Sequence, residues 1–177
     1  TDSGINPDQL DKKYAFEPSI YLDAESQITN KITIAYGLRY SLFYRLGSST
    51  INYYDNDQAV VFNTDMQIYE KGTPTSTKYF GKNKVIQDYN NLEPRLAVSY
   101  QLNEDQSVKA SYNRMAQYLQ LISNTSSPTP LDVWMPSDNY IKPQIADQVA
   151  IGYFRNIKNG AYSLEVETYY KEIQNRL

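Results

Sequence analysis

The stretch Ile32-Thr33-Ile34-Ala35-Tyr36-Gly37-Leu38-Arg39-Tyr40-Ser41-Leu42-Phe43-Tyr44-Arg45-Leu46 alternates without a break. Ile32, Ile34, Tyr36, Leu38, Tyr40, Leu42, Tyr44 and Leu46 hold the even positions, and Thr33, Ala35, Gly37, Arg39, Ser41, Phe43 and Arg45 hold the odd ones. A helix, with a period near 3.6, would scatter the even set around its circumference; a strand, with period 2, puts that set on one face. The spacing therefore predicts a strand. At ~3.3 Å per residue it runs for about 50 Å. That exceeds both the usual soluble strand of ~5–6 residues and the ~9–11 residues that carry a tilted strand across hydrocarbon.

The same period appears on both sides of this stretch. Upstream, after a polar entry at Thr1–Lys13, Pro18, Ile20, Leu22 and Ala24 share one face, with Glu17, Ser19, Tyr21, Asp23 and Glu25 on the other. Downstream, Leu92, Pro94, Leu96, Val98, Tyr100 and Leu102 alternate with Glu93, Arg95, Ala97, Ser99 and Gln101. Val108, Ala110 and Tyr112 follow, then Val149, Ile151 and Tyr153, then Tyr162, Leu164, Val166, Thr168 and Tyr170. Arg114 falls in the apolar register, so its strand either leaves the apolar zone there or carries a bulge. Strands are expected near 14–25, 31–46, 91–102, 107–116, 146–155 and 161–173. Their connections alternate in length. Three are tight: Ser26–Asn30, Asn103–Gln106, and Asn156–Gly160, whose Asn159-Gly160 is a strong hairpin signal. Two are long, 47–90 and 117–142, and the first contains short β-like pieces at Ile51–Tyr54, Ala59–Phe62 and Met66–Tyr69. Barrels of the outer membrane have short turns at one end and long loops at the other. The expected fold is all-β: antiparallel up-and-down strands forming about six strands of a large transmembrane β-barrel.

Composition bounds the alternatives. Hydrophobic residues make up 41% of the chain, and no run approaches the ~20 apolar residues of a spanning helix. Eighteen tyrosines give rings that suit strands and membrane–water boundaries alike. The absence of Cys and His removes disulfides, thiolate sites and the commonest general base. A net charge of -3 provides no basic field for nucleic acid. A soluble β-sandwich that binds a ligand or carbohydrate through Tyr-rich loops is the alternative fold. An outer-membrane assembly or translocation subunit is a third reading.

From Leu92 onward the residues carry a resemblance. Asn91-Leu92-Glu93-Pro94-Arg95-Leu96, Tyr100, Leu102-Asn103, Lys109-Ala110-Ser111-Tyr112-Asn113-Arg114 and Thr129-Pro130-Leu131-Asp132-Val133-Trp134 are similar to barrel sequence of TonB-dependent outer-membrane receptors, particularly those of Bacteroidetes-type bacteria. Lys142-Pro143-Gln144, Gln148 through Tyr153, and Glu167-Thr168-Tyr169-Tyr170-Lys171 extend it. The resemblance implies a cell outer membrane location and energised uptake of a metal chelate, haem, vitamin or oligosaccharide. It implies a barrel typically of 22 strands around an N-terminal plug. The implied partners are outer-membrane lipid, the plug and remaining barrel strands, the TonB system and an extracellular nutrient. Against that pattern the chain reads as an excised segment of barrel, not an enzyme, with no cofactor.

Candidate residues follow from the faces. Ile34, Leu38, Leu42, Leu96, Val98, Ile151 and Leu164 are expected to meet lipid. Glu17, Asp23, Glu25, Arg39, Arg45, Glu93, Arg95, Lys109, Glu165 and Glu167 are expected on the polar inner wall, with Glu93 and Arg95 suggesting an ion-pair network. Glu165 and Glu167 sit two apart on one strand face, but nothing around them marks catalysis. Asp55, Asn56 and Asp57 resemble a Ca²⁺ loop fragment without its Gly and distal Glu. Arg114, Tyr118, Trp134 and Tyr140 are the ligand-side candidates, because loops on a rigid scaffold carry recognition and these side chains offer area and planar donors.

Overall fold

The computed structural model describes residues 12–122, 133–158 and 160–176. Most of the expected entry segment, Asn159 of the expected tight turn, and the Thr129–Asp132 part of the resemblance lie outside them. Thirteen strands follow in order: β1 (Tyr14–Phe16), β2 (Ser19–Thr29), β3 (Ile32–Leu46), β4 (Ser49–Tyr53), β5 (Val60–Asn63), β6 (Ile68–Lys71), β7 (Ser76–Phe80), β8 (Val85–Asn103), β9 (Gln106–Gln117), β10 (Leu119–Ile122), β11 (Val133–Pro136), β12 (Gln144–Ile157) and β13 (Tyr162–Gln174). Among the described residues, no helix is long and apolar enough to cross a membrane.

One antiparallel sheet dominates, with order β1/β2-β3-β8-β9-β12-β13. β1 and β2 are one strand in register terms: Phe16 faces Tyr44 and Ser19 faces Ser41, with no slip between. The gap falls at Pro18, whose carbonyl accepts from the Leu42 N–H at 2.9 Å. Proline has no N–H to return that bond, so the ladder breaks for one rung on an edge strand, where proline is tolerated. The wall therefore has six strands. It does not close on itself among the described residues, and β1/β2 and β13 are its edges.

Three short turns lie at one end of the wall and two long connections at the other. Thr29 Oγ1 accepts from the N–H groups of Lys31 and Ile32 at 3.2 and 3.0 Å, closing the first turn. Asn103 Oδ1 does the same for the Asp105 N–H at 3.0 Å. Gly160, at φ 85°, takes the left-handed conformation that the third turn requires. At the other end, β4 pairs with β7, and β5 with β6, to make two stacked hairpin segments in the 47–84 connection. The expected β-like pieces overlap β4, β5 and β6, with Met66 and Gln67 in a turn instead, and β7 lies beyond them. β8 begins at Val85, earlier than its alternation suggests, because Val85–Asn91 pairs with Ser41–Leu46 through a bulge that the polar residues Gln87, Asp88 and Asn90 conceal. β2 likewise runs through Ser26 to Thr29.

The registers carry face identity from strand to strand. Tyr36 lies beside Ala24 and Leu96, Leu96 beside Tyr112, Tyr112 beside Val149, and Val149 beside Tyr170. This face is apolar and uncovered: Leu22 is 78% exposed, Leu96 46%, Val149 54% and Tyr170 70%. Ile34, Leu38, Leu42, Val98, Ile151 and Leu164 lie on it too. Among the described residues, the buried apolar side chains are few: Phe43, Ile86, Tyr118, and the prolines Pro136 and Pro143. A sandwich would bury one face of this sheet against a second sheet ~10 Å away. Among the described residues no second layer covers this sheet, so the apolar face is free to meet something other than water or protein core.

One ladder row fixes the tilt. The row through Leu22, Leu38 and Pro94 is apolar. One residue beyond the last β8–β9 pair it continues as Arg114, Asp147 and Glu172. The apolar belt therefore crosses ladder rows obliquely, as it must where strands tilt ~35–45° from a barrel axis. β9 pairs with β12 without a register shift, so Arg114 marks exit from the belt rather than a bulge.

Substituting Leu96 on the apolar face by Arg should cost about 2–4 kcal/mol of folded stability in lipid. Gln101→Arg, on the opposite face of the same strand, should stay within about 0.5 kcal/mol of the parent. Urea unfolding in vesicles reads both, and equal costs would refute the assignment of faces.

Candidate functional site

The inner face changes character along its length. Near the tight turns it is lined by small and polar groups, with Ala35, Gly37 and Ala97 flooring a shallow depression of about 350 Å³. Asp23, Glu25, Arg95 and Asn113 rim it. Near the long loops it is covered by protein, because the second long connection folds back over it.

The reason begins at Pro94. The β8–β9 ladder ends at Arg95 opposite Asn113, one residue short of this proline. Above that row, β8 pairs only with β3, and β9 only with β12. The chain leaves β9 at Gln117 and turns inward. Tyr118 lands flat on Phe43, with ring centroids 4.9 Å apart and planes 3° apart. β10 then pairs with β11 from Leu119 opposite Pro136 to Ile122 opposite Val133. The return limb is tied down in turn: the Ser137 N–H donates to the Tyr118 carbonyl at 2.7 Å, and Tyr89 Oη donates to the Asp138 carbonyl at 2.7 Å.

Beneath Tyr118 lies a buried polar chain. Asn91 Nδ2 is 2.8 Å from Tyr118 Oη, which is 2.7 Å from Ser41 Oγ, which is 2.6 Å from Glu93 Oε1. Ser41 is fully buried, and Glu93 is 4% exposed. Arg39, directly opposite Glu93 in register, brings its Nε to 3.8 Å of Oε1 and reaches Glu17 at 3.8 Å on its other side. Among the described residues, the ion pair of Glu93 is thus with Arg39 across the strands, not with Arg95 beside it.

The four residues singled out from sequence occupy three different environments. Tyr118 is buried at 2% exposure and serves as the anchor just described. Trp134 lies opposite Leu121 on the β10–β11 hairpin and is 59% exposed. Tyr140 joins the two long connections: its Oη donates to the Asn52 carbonyl at 2.8 Å, and its ring meets Tyr54 edge-on at 6.0 Å. Asp138 shapes the preceding turn by accepting from the N–H groups of Tyr140 and Ile141 at 2.9 and 3.0 Å. Desolvation in this cluster, with the charge of Asp57 nearby, raises the Tyr140 phenol above its ordinary range, so it remains a neutral donor at neutral pH. Arg114 stands apart on the outer face, where it pairs with Asp147 at 3.0 Å, and Asp147 also accepts from Tyr112 Oη at 2.6 Å.

Sequence reading missed Ser41, Phe43 and Asn91. They were legible only as inner-face members of strands, since nothing local says that a loop from another strand will cover them. Asp55 and Asp57 sit in a 3-10 turn. Among the described residues, no group of three or more acidic side chains is placed to hold a metal ion.

The family model described as TonB dependent receptor-like, beta-barrel, matches residues 2–177. The chain belongs to this family of receptor barrels. No curated protein and no solved structure gives a significant match. The family consists of receptors and transporters, typically of the outer membrane, rather than enzymes, and its members work in general with a plug, TonB and a ligand. In a receptor barrel the apolar face is the lipid face and the covered face is the lumen. The long connections form the extracellular end. The described parts of the folded-back limb, 118–122 and 133–143, then lie inside the mouth of the barrel wall.

Glu93→Ala should lower the thermal unfolding temperature of the folded barrel, because it removes the acceptor of the buried Ser41 hydroxyl and one of the two carboxylates beside Arg39, at a cost of about 1–3 kcal/mol. Arg114→Ala, at a half-exposed pair, should cost less than about 1 kcal/mol. Heat-dependent gel mobility of the folded barrel would rank the two.

Proposed function

We infer that the chain is wall and mouth of an outer-membrane receptor that captures a scarce nutrient outside the cell for TonB-driven uptake. The observation that carries this reading is the inward-folded limb on a lipid-facing wall. It sets Trp134, Leu119 and Leu121 uncovered on a hairpin whose other strand face is anchored to the lumen. Tyr140 bridges the same limb to the neighbouring loop. Exposed aromatic and aliphatic groups held by a fixed scaffold suit recognition, since they give contact area at little ordering cost. In this reading Trp134 and Tyr140 contact the nutrient, Tyr118 positions them, and Arg114 faces lipid headgroups outside the barrel. The plug and the remaining strands, which must meet the two free edges of the wall, complete the lumen. The nutrient belongs to the class of metal chelates, haem, vitamins or oligosaccharides.

The test is growth of the parent bacterium and a strain deleted for the gene, each limited in turn for iron chelate, haem, a vitamin or a glycan. Deletion should abolish growth on one of these. Trp134→Ala in the restored gene should raise the concentration needed about tenfold or more, the loss expected for truncating one aromatic anchor. Arg114→Ala should leave it unchanged. Full growth of the deletion strain under every limitation, or recovery of the protein in the soluble fraction, would overturn the reading.

A further inference from the structure

The buried chain beneath Tyr118 has a fixed direction. Glu93, as a carboxylate, can only accept, so the single hydroxyl hydrogen of Ser41 is committed to it. Ser41 must then accept at Tyr118, which makes the Tyr118 phenol the donor. With its hydrogen so used, the Tyr118 oxygen is free to accept from the Asn91 amide, which can only donate from Nδ2. Donation runs Asn91 to Tyr118 to Ser41 to Glu93, and one arrangement alone satisfies every member. Such a chain is cooperative: removing a link leaves a neighbour short of a partner, and Ser41, Tyr118 and Glu93 are all buried.

This chain holds the limb through one side chain. Tyr118 contributes the ring stacked on Phe43, the phenol of the chain, and the carbonyl that receives the Ser137 N–H. The Gln120 side chain also ties the outgoing half to the returning half and to the start of β12. Gln120, 2% exposed, donates to the Lys142 carbonyl at 2.7 Å, and Gln144 reaches Gln120 Oε1 at 3.4 Å. The apolar contribution is the Phe43–Tyr118 stack with the buried Pro136 and Pro143. Seating thus depends on the polar chain together with these few apolar contacts.

The geometry points to a latch: the Asn91–Tyr118–Ser41–Glu93 chain holds the limb 118–122 and 133–143 down inside the mouth, and breaking the chain loosens the limb around Tyr118 and Ser137, with Tyr89 on Asp138 and Tyr140 on Asn52 left as its remaining tethers. Glu93 and Ser41 are positioning residues that act through Tyr118. The latch rests on the barrel reading only for which face is the lumen, and its test measures accessibility rather than uptake, so the two can fail separately.

Ser137 reports the seated state, being fully buried with its N–H on Tyr118. In the full-length receptor in outer-membrane vesicles, Ser137→Cys is made the sole reactive thiol and treated with a membrane-impermeant maleimide. With the latch intact, labelling should be slow relative to Lys142→Cys on the exposed part of the limb. Adding Tyr118→Phe, which keeps the ring but removes the phenol, or Ser41→Ala, should speed labelling of Ser137→Cys about tenfold, the scale of one lost buried hydrogen bond. Gln101→Ala, at the far end of the lumen wall, should not. Hydrogen exchange at the Ser137 amide, without any cysteine, should show the same loss of protection in Tyr118→Phe. Fast labelling with the latch intact, or a rate and an amide protection unchanged by both latch variants, would overturn the proposal.

Discussion

Everything in this structure depends on backbone pairing along an antiparallel ladder. In hydrocarbon, an unpaired N–H or C=O costs several kcal/mol, so a wall that crosses a membrane must pair its backbone between strands. Five strand-to-strand pairings carry one register across the sheet. Because side chains alternate along every strand, a continuous register makes two continuous faces. One face is apolar and the other polar, and the register shifts are confined to strand ends. The exposure of so many large apolar side chains follows from this, and it would be untenable for a sheet in water.

Local departures from the ladder coincide with the places where the wall does something else. Pro18 removes one rung at an edge, where the loss is tolerated. Pro94 lies in a central strand, and the β8–β9 pairing stops beside it. Two strand ends are thereby left with one neighbour each, and from one of them the chain turns inward to cover the lumen face. The buried groups of the molecule gather where the chain lands: Ser41, Phe43, Arg45 and Glu93 on the wall, Tyr118, Gln120 and Ser137 on the limb. A barrel wall has no core of its own, and this small cluster is where tertiary packing between distant segments occurs.

The two faces also sort the charges by purpose. Arg39, flanked by Glu17 and Glu93, balances acids on the lumen side. Arg114 and Asp147 balance each other outside the barrel, where the slanting belt ends on these strands. Both are arginine–carboxylate pairs between strands. Only their side of the sheet separates a residue of the mouth from one at the lipid boundary.

Period-2 alternation was sufficient to locate the six long strands, their shared apolar face and the division into tight turns and long loops. This is because burial in lipid imposes its pattern residue by residue on each strand. The ends of β2 and β8 were hidden, since outside the apolar belt a strand needs no alternation. The site was only half legible. Tyr118, Trp134 and Tyr140 stood out as aromatics in a long connection, but Arg114 shared that prominence while pointing away from the lumen. Which residues of the wall receive the limb depends on contacts across 77 positions of sequence between Ser41 and Tyr118. A pairing of that range leaves no periodic trace in either segment. Sequence alone therefore determined the wall and its two faces, and only the tertiary structure decided what covers the mouth and which hydrogen bonds hold it there.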